Sequence, residues 1–144
     1  MAAANAARHH LDHRIRFVEA DLLARVRVPH SSRSDGWGSA GDATQFDAIV
    51  SNPPYVPAAD RESLHPQVRD FEPASALFAG ADGMDVYRRL IPQAHAALKP
   101  NGLLALEIGH GQREAIAALL ADWNSVRFVD DLQRIPRVAL ARKP

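Results

Sequence analysis

Short apolar runs typical of β-strands alternate with segments of helical spacing through most of this chain. Two runs, FDAIVS (46–51) and LLALEIG (103–109), flank a helical segment at 84–98, and a second helical segment follows at 112–123. Two parallel strands of one sheet need a crossover connection, usually a helix, between them. The alternation therefore predicts an α/β fold, with a mostly parallel sheet and helices on both of its faces.

Other segments add to this pattern. The N-terminal part predicts a helix over 2–11 and a strand over 14–20. The segment 56–82 holds prolines, charges and a Gly-Ala-Asp-Gly cluster, and it predicts a long irregular stretch of the kind that is usually functional in a compact domain. Near the C-terminus, VRFVDD (126–131) and RVALAR (137–142) are separated by a short turn and predict a β-hairpin.

These elements group into one partial domain that covers residues 1–144. Its first part, 1–29, holds a helix and a strand, and the Ser-, Gly- and Asp-rich stretch 30–45 predicts a flexible loop. The remainder, 46–144, holds contiguous strands and helices that can form a core by themselves.

Composition and charge bear on whether the chain binds nucleic acid, a metal ion or a membrane. The chain has 17 basic and 17 acidic residues, so its net charge of zero gives no electrostatic reason to expect direct nucleic-acid binding. Cysteine is absent, and His9 and His13 lack further ligands nearby, so no metal site is expected. No apolar run is long enough to span a membrane and the N-terminus has no signal-like apolar core, so we expect no membrane association and a cytoplasmic location.

The run at 46–51 ends in Asn52-Pro53-Pro54-Tyr55. Each proline disfavours the helical conformation of the residue before it and lacks an N–H, so the chain leaves the strand in a stiff, extended form. This exit presents two acceptors, the Asn52 side-chain oxygen and the Pro53 carbonyl, with the flat ring of Tyr55 beside them. Two acceptors and a ring suit a planar, conjugated NH2 group whose nitrogen is aimed at an electrophile. Taken alone, the four residues could equally form a rigid turn.

Two further strand ends carry candidate groups. Asp21 follows the predicted strand at 14–20, and Glu107 and Gly109 lie at the end of the predicted strand at 103–109. Ligands of open α/β sheets bind at the carboxyl ends of the strands. We therefore expect these residues to border one pocket together with the segment from Asn52 to Tyr55.

A longer pattern surrounds this motif. FDAIVSNPPYV is followed by VRDFEPASALFAGADGMDVYRRLI, LKPNGLLALEIGHGQ and DLQRIPRVALAR, and it is preceded by NAARHHLDHRIRFVEADLL. In combination these stretches resemble the HemK/PrmC family of N5-glutamine methyltransferases. The resemblance implies a class I methyltransferase fold, a Rossmann-like sheet, with S-adenosylmethionine as methyl donor. It also implies that the substrate is the glutamine of the Gly-Gly-Gln loop in class 1 peptide chain release factors.

The resemblance also implies roles for residues that match the family pattern. The motif at 52–55 would hold the glutamine carboxamide, and its Asn52 would also lie near the cofactor. Asp21 and Leu22 stand where family members contact the adenine ring of S-adenosylmethionine.

Three further residues fall in the matching stretches. Glu72 and Pro73 would shape the substrate entrance, although an ion pair with a neighbour such as Arg69 explains the Glu72 carboxylate equally well. Glu107 would be a carboxylate just behind the site, with satisfaction of backbone donors as the other interpretation.

The chain departs from the family pattern before Asp21. No Gly-rich loop precedes that residue, and GWGSAG (36–41) follows no clear strand, so we interpret it as loop. The resemblance therefore implies a C-terminal part of a methyltransferase that lacks the first two strands of the sheet. We expect the isolated chain to be inactive, because nothing holds the methionine end or the ribose of the cofactor.

Two other functions stay open. An adenine N6 amine is also a planar conjugated NH2 group, so a nucleic-acid amino methyltransferase is one alternative. A non-enzymatic fragment that binds a partner is the other. Salt-sensitive retention on DNA distinguishes the first, and failure to bind S-adenosylmethionine favours the second.

Overall fold

The computed structural model describes residues 1–24, 26 and 45–144. The described part contains five α-helices, four β-strands and one 3-10 helix. In chain order these are α1 (Ala2–Arg8), β1 (Phe46–Ser51), a 3-10 helix (Ala58–Ser63), α2 (Pro66–Phe71), α3 (Ala74–Leu77), α4 (Asp85–Ala97), β2 (Leu98–Glu107), α5 (Arg113–Leu119), β3 (Asn124–Asp130) and β4 (Pro136–Arg142).

The four strands form one mixed sheet in the order β1-β2-β4-β3. β1 and β2 are parallel, as the crossover through α4 predicts, and Ile49 pairs with Leu104. The predicted C-terminal hairpin is confirmed, because β3 and β4 pair antiparallel. Its second strand also pairs antiparallel with β2, with Leu104 opposite Ala141, so the described sheet is less parallel than the sequence pattern predicts.

The core lies on one face of this sheet. Alternate residues along the strands, such as Ile49, Leu104 and Ala141, are buried in a single cluster to which α4 and α5 both contribute. The helical members of that cluster are Tyr87, Leu90, Ile91, Ala94, Ile116 and Leu120. Burying each large side chain contributes about 1.5–3 kcal/mol, so this face anchors the fold. α4 and α5 therefore share one face of the described sheet, and helices on its other face stay a prediction.

The predicted strand at 14–20 is wrong. Residues 15–20 have no regular structure, and Ile15, Phe17 and Val18 are each more than two-fifths exposed. A strand needs a neighbour for its N–H and C=O groups, and no strand of the described part pairs with this segment. The predicted helix at 2–11 is shorter, ending at Arg8.

β1 forms as predicted, but it is less buried than its apolar run indicates. Ile49 points into the core, whereas Val50 is 78% exposed. The reason is that successive side chains of a strand point to opposite faces, and α4 and α5 cover only one of them. β1 also lies at an edge of the described sheet.

The segment 56–82, predicted to be irregular, holds three short helices. His65 caps the second of them, α2, by accepting the Gln67 N–H through its Nδ1 at 3.3 Å, and Pro66 occupies the first helical position, where its missing N–H costs nothing.

The later elements differ from the predictions at their ends. α4 and α5 are confirmed within the predicted 84–98 and 112–123, and β2 begins at Leu98, five residues before the predicted start at 103. The predicted loop at 30–45, apart from residue 45, lies outside the described residues, as does GWGSAG.

Candidate functional site

The Asn-Pro-Pro-Tyr motif leaves the carboxyl end of β1 as a tethered, extended segment. β1 ends at Ser51, Asn52 is exposed, and Pro53 is buried. Just beyond the motif, the Val56 N–H donates to the Leu77 carbonyl at 2.9 Å. The motif is therefore fixed at its start by the sheet and at its end by the segment before Phe78, while the Asn52 carboxamide faces solvent.

Tyr55 is hydrogen-bonded through its side-chain hydroxyl and through its backbone carbonyl. Its hydroxyl donates to Glu107 Oε1 at 3.2 Å, and its backbone carbonyl accepts from Gln112 Nε2 at 3.0 Å. Glu107 is the last residue of β2, the strand next to β1 in the sheet. The structure thus brings together two of the predicted strand-end residues.

Tyr87 of α4 also contacts the end of β2, at Glu107. Its side chain is fully buried, and its hydroxyl donates to the Glu107 carbonyl at 2.7 Å. Burial raises the pKa of the Tyr55 phenol, and the Glu107 carboxylate beside it raises that pKa further. Burial also raises the pKa of Tyr87. Both phenols therefore stay protonated, and remain hydrogen-bond donors, throughout the neutral range.

Gln112 is a site residue that the sequence motifs did not predict. It is buried, its Oε1 accepts the Gly109 N–H at 2.9 Å, and its Nε2 approaches the Gly83 carbonyl at 3.4 Å as well as Tyr55. A buried amide must be satisfied, and this one bonds three separate backbone segments. The only sequence signal is a glutamine directly after the Gly-His-Gly of the quoted LKPNGLLALEIGHGQ stretch.

Two glycines make room for these contacts. A Cβ on Gly83, whose φ is +74°, would lie 2.3 Å from the Tyr55 carbonyl oxygen. A Cβ on Gly109 would lie 2.8 Å from Gln112 Oε1 and 3.0 Å from Tyr55 Cδ2. Any larger residue at either position would displace Tyr55 or Gln112, so the Gly-Ala-Asp-Gly cluster has a steric reason to end in glycine.

Asp21 and Leu22 lie against α4. The Asp21 carboxylate pairs with Arg89, and Leu22 is half-buried against the core cluster. The neighbouring Leu23 N–H donates to Gln93 Oε1 at 3.0 Å, which attaches this segment to the same helix. Their contact with a cofactor stays a prediction.

Glu72 and Pro73 are exposed between α2 and α3. The interpretation of Glu72 as the ion-pair partner of Arg69 is wrong, because Arg69 pairs with Asp70 at 2.8 Å and with Glu62 at 3.6 Å. A substrate role for Glu72 and Pro73 stays a prediction.

Within residues 1–24, 26 and 45–144, no group of three or more His, Cys, Asp and Glu side chains is placed to hold a metal ion. None of the helices in this same part of the chain is long and apolar enough to cross a membrane.

The strand order, with β4 inserted antiparallel beside a parallel β1–β2 pair, and the motif at the end of β1 define a class I, Rossmann-like methyltransferase fold. TrmN from Thermus thermophilus shares the fold, with a TM-score of 0.54 at 22% identity over 99% of this chain and 32% of that one. The fold-class prediction is confirmed. No protein-family model matches the sequence.

Sequence relatives then specify the family. The chain is 40% identical over all of its 144 residues to a release factor glutamine methyltransferase of Koribacter versatilis. It is 43% identical over 125 residues to one of Caulobacter vibrioides. The chain belongs to this family, as its motifs predict. It spans about half the length of the curated relatives it matches, 46% of the first and 42% of the second.

Proposed function

We propose that this chain is the acceptor-binding part of an N5-glutamine methyltransferase. In this proposal a methyl group passes from S-adenosylmethionine to the side-chain amide nitrogen of the glutamine in the Gly-Gly-Gln loop of class 1 release factors. Residues 46–144 carry the acceptor site, and a release-factor substrate places the enzyme in the cytoplasm. The observation that carries the proposal is an exposed Asn52 carboxamide on a strand exit whose Tyr55 is held at both ends. The names of the relatives support it.

The chemistry follows from what the motif offers an amide. Amide nitrogen is a poor nucleophile because its lone pair is delocalised into the carbonyl. The Asn52 side-chain oxygen and the Pro53 carbonyl would accept the two protons of the substrate NH2, while the Tyr55 ring lies against its plane. Two preorganised acceptors draw on those protons, favour a pyramidal nitrogen and orient its lone pair for attack.

S-adenosylmethionine supplies the methyl group when bound. The exposed carboxamide of Asn52 suits both the acceptor amide and the polar groups of this cofactor. In the proposal Asp21 and Leu22 contact its adenine ring, Glu72 and Pro73 shape the entrance for the release-factor loop, and Glu107 fixes Tyr55 from behind.

The test uses a chimera in which this chain replaces the matched stretch of the Koribacter versatilis relative. Methyl transfer to a release factor is measured for the chimera, for Asn52→Ala and for Asn124→Ala, a matched change at an exposed asparagine in β3. Asn52→Ala should lower the rate by roughly 10²–10³-fold, the usual effect of removing one preorganised group, with an unchanged circular dichroism spectrum. Asn124→Ala should keep the full rate.

Near-normal turnover by Asn52→Ala would remove Asn52 from the mechanism. A duplex DNA containing adenine serves as a second acceptor in the same assay. Methylation of that DNA in preference to the release factor would replace the proposal with the nucleic-acid alternative.

A further inference from the structure

We propose that Gln112 is the positioning residue of the acceptor site. Through one amide group it ties the end of the Asn-Pro-Pro-Tyr motif to the turn at Gly83 and to the end of β2 at Gly109. This inference rests on the proposed function of the motif, but it concerns a residue outside it.

The three contacts require an amide in one orientation. Oε1 accepts the Gly109 N–H at 2.9 Å, while Nε2 donates to the Tyr55 carbonyl at 3.0 Å and approaches the Gly83 carbonyl at 3.4 Å. Rotating the amide by half a turn would set NH2 against an N–H and oxygen against two carbonyls. A carboxylate lacks the donors, and an apolar side chain lacks every bond, so glutamine fits this position for a chemical reason.

The side chain is not used for the ordinary task of its position. Gln112 is the N-cap residue of α5, where side chains commonly accept an N–H of the first helical turn, yet it makes no such bond. One of its three hydrogen bonds goes to the nearby Gly109, and the other two go to residues 57 and 29 positions away in sequence. The Gln112 side chain therefore does not cap α5, and it bonds the acceptor site instead.

The contact with Tyr55 is the one that bears on substrate. Gln112 holds the Tyr55 carbonyl and Glu107 holds the Tyr55 hydroxyl, so the ring between them is fixed. The Tyr55 carbonyl is three residues beyond Asn52, across two prolines that transmit any shift because they are stiff. Releasing the carbonyl would therefore move both the ring and the Asn52 acceptor.

The experiment compares Gln112→Met with Gln93→Met in the 144-residue chain. Both changes replace a glutamine by an apolar side chain of similar length, and Gln93 lies on α4, where it bonds only the Leu23 N–H among the described residues. The probe is ¹³Cζ-tyrosine NMR across alkaline pH, which reports separately on Tyr55 and Tyr87, the two tyrosines of the chain.

Gln112→Met should lower the pKa of Tyr55 toward the ordinary value of about 10, because the freed ring loses burial and its contact with Glu107. The pKa of Tyr87 should stay raised, and Gln93→Met should leave both phenols unchanged. A Tyr55 titration that does not move, although the Gly109 amide exchanges faster, would overturn the proposal. If Gln112→Met does not fold, Gln112→Glu is used, since it keeps the acceptor for Gly109 and loses both donors.

A second readout separates this inference from the proposed function. In the chimera, Gln112→Met should lower kcat on the order of 10²-fold, the usual effect of a misplaced reacting group, with a smaller change in KM. An unchanged kcat would refute the positioning role. If the unsubstituted chimera transfers no methyl group, the proposed function fails, while the tyrosine titration still decides the role of Gln112.

Discussion

Replacing Gly83 by alanine should destabilise this fold by more than the cost of a left-handed backbone conformation alone. Gly83 has φ of +74°, a left-handed conformation that costs a residue with a Cβ about 1–2 kcal/mol. The added Cβ would also lie 2.3 Å from the Tyr55 carbonyl oxygen and 2.8 Å from Gln112 Nε2. Relieving that overlap requires a backbone shift, for which overpacked sites lose about 1–3 kcal/mol. The free energy of unfolding should fall by roughly 2–5 kcal/mol in total.

Gly111 provides the matched control, because it has φ of +78° and nothing within 4 Å of its added Cβ. Gly111→Ala should therefore carry only the conformational part of the cost, about 1–2 kcal/mol. With a urea m-value of about 2 kcal/mol/M, the midpoint of Gly83→Ala should lie roughly 0.5–1.5 M below that of Gly111→Ala. Unfolding is followed by circular dichroism. Coincident midpoints would show that the close approach of Gly83 to Tyr55 does not constrain the site.

Three further outcomes are expected. Amides of β2 and β4 should exchange far more slowly than those of α1, which is mostly exposed; uniform protection by hydrogen-exchange mass spectrometry would contradict this. The tyrosine contribution to stability should be constant below about pH 10 and fall above it, because unfolded tyrosine ionises there while the raised pKa values of Tyr55 and Tyr87 keep the folded phenols protonated. Tyr87→Phe should flatten that alkaline fall in urea titrations, and an unaltered fall would count against the role of Tyr87. Finally, calorimetry of the isolated chain should detect no micromolar binding of S-adenosylmethionine, since the sequence offers no Gly-rich loop before Asp21 to hold its methionine end. A methyl-transfer assay should detect no turnover, because positioning the reacting groups can be worth about 7–11 kcal/mol of the barrier; micromolar binding with turnover would refute both expectations.

Local periodicity predicted the elements of this fold better than their arrangement. The helices α4 and α5 and the hairpin follow from spacing and turn residues near each segment. The strand order does not, because nothing in 137–142 indicates that this strand pairs with β2 as well as with β3. The same limit explains the error at 14–20, where the alternation is typical of a strand but the neighbour that a strand requires is not encoded locally.

Some residues of the candidate site could be predicted from the sequence and others could not. Tyr55 and Glu107 could be placed together from sequence because the carboxyl ends of neighbouring parallel strands meet at one edge of a sheet. Gln112 could not, since its role depends on one nearby backbone group, two that are distant in sequence, and the direction of one amide. The ion pairs of Arg69 were also not predictable from sequence. Several acidic residues lie near it, and sequence spacing alone did not identify Asp70 and Glu62 as its partners.

The position of β4 between β2 and β3 has a consequence for how the chain acquires its structure on the ribosome. Synthesis delivers β3 before β4, yet in the described sheet β3 pairs with β4 and with no earlier strand. Until residues 136–142 emerge, the parallel β1–β2 pair has one side open and β3 has no place in the sheet. The C-terminal half should therefore close late and in a single step, and any nascent chain that stalls before Pro136 should be a substrate for chaperones and proteases rather than a partly working domain.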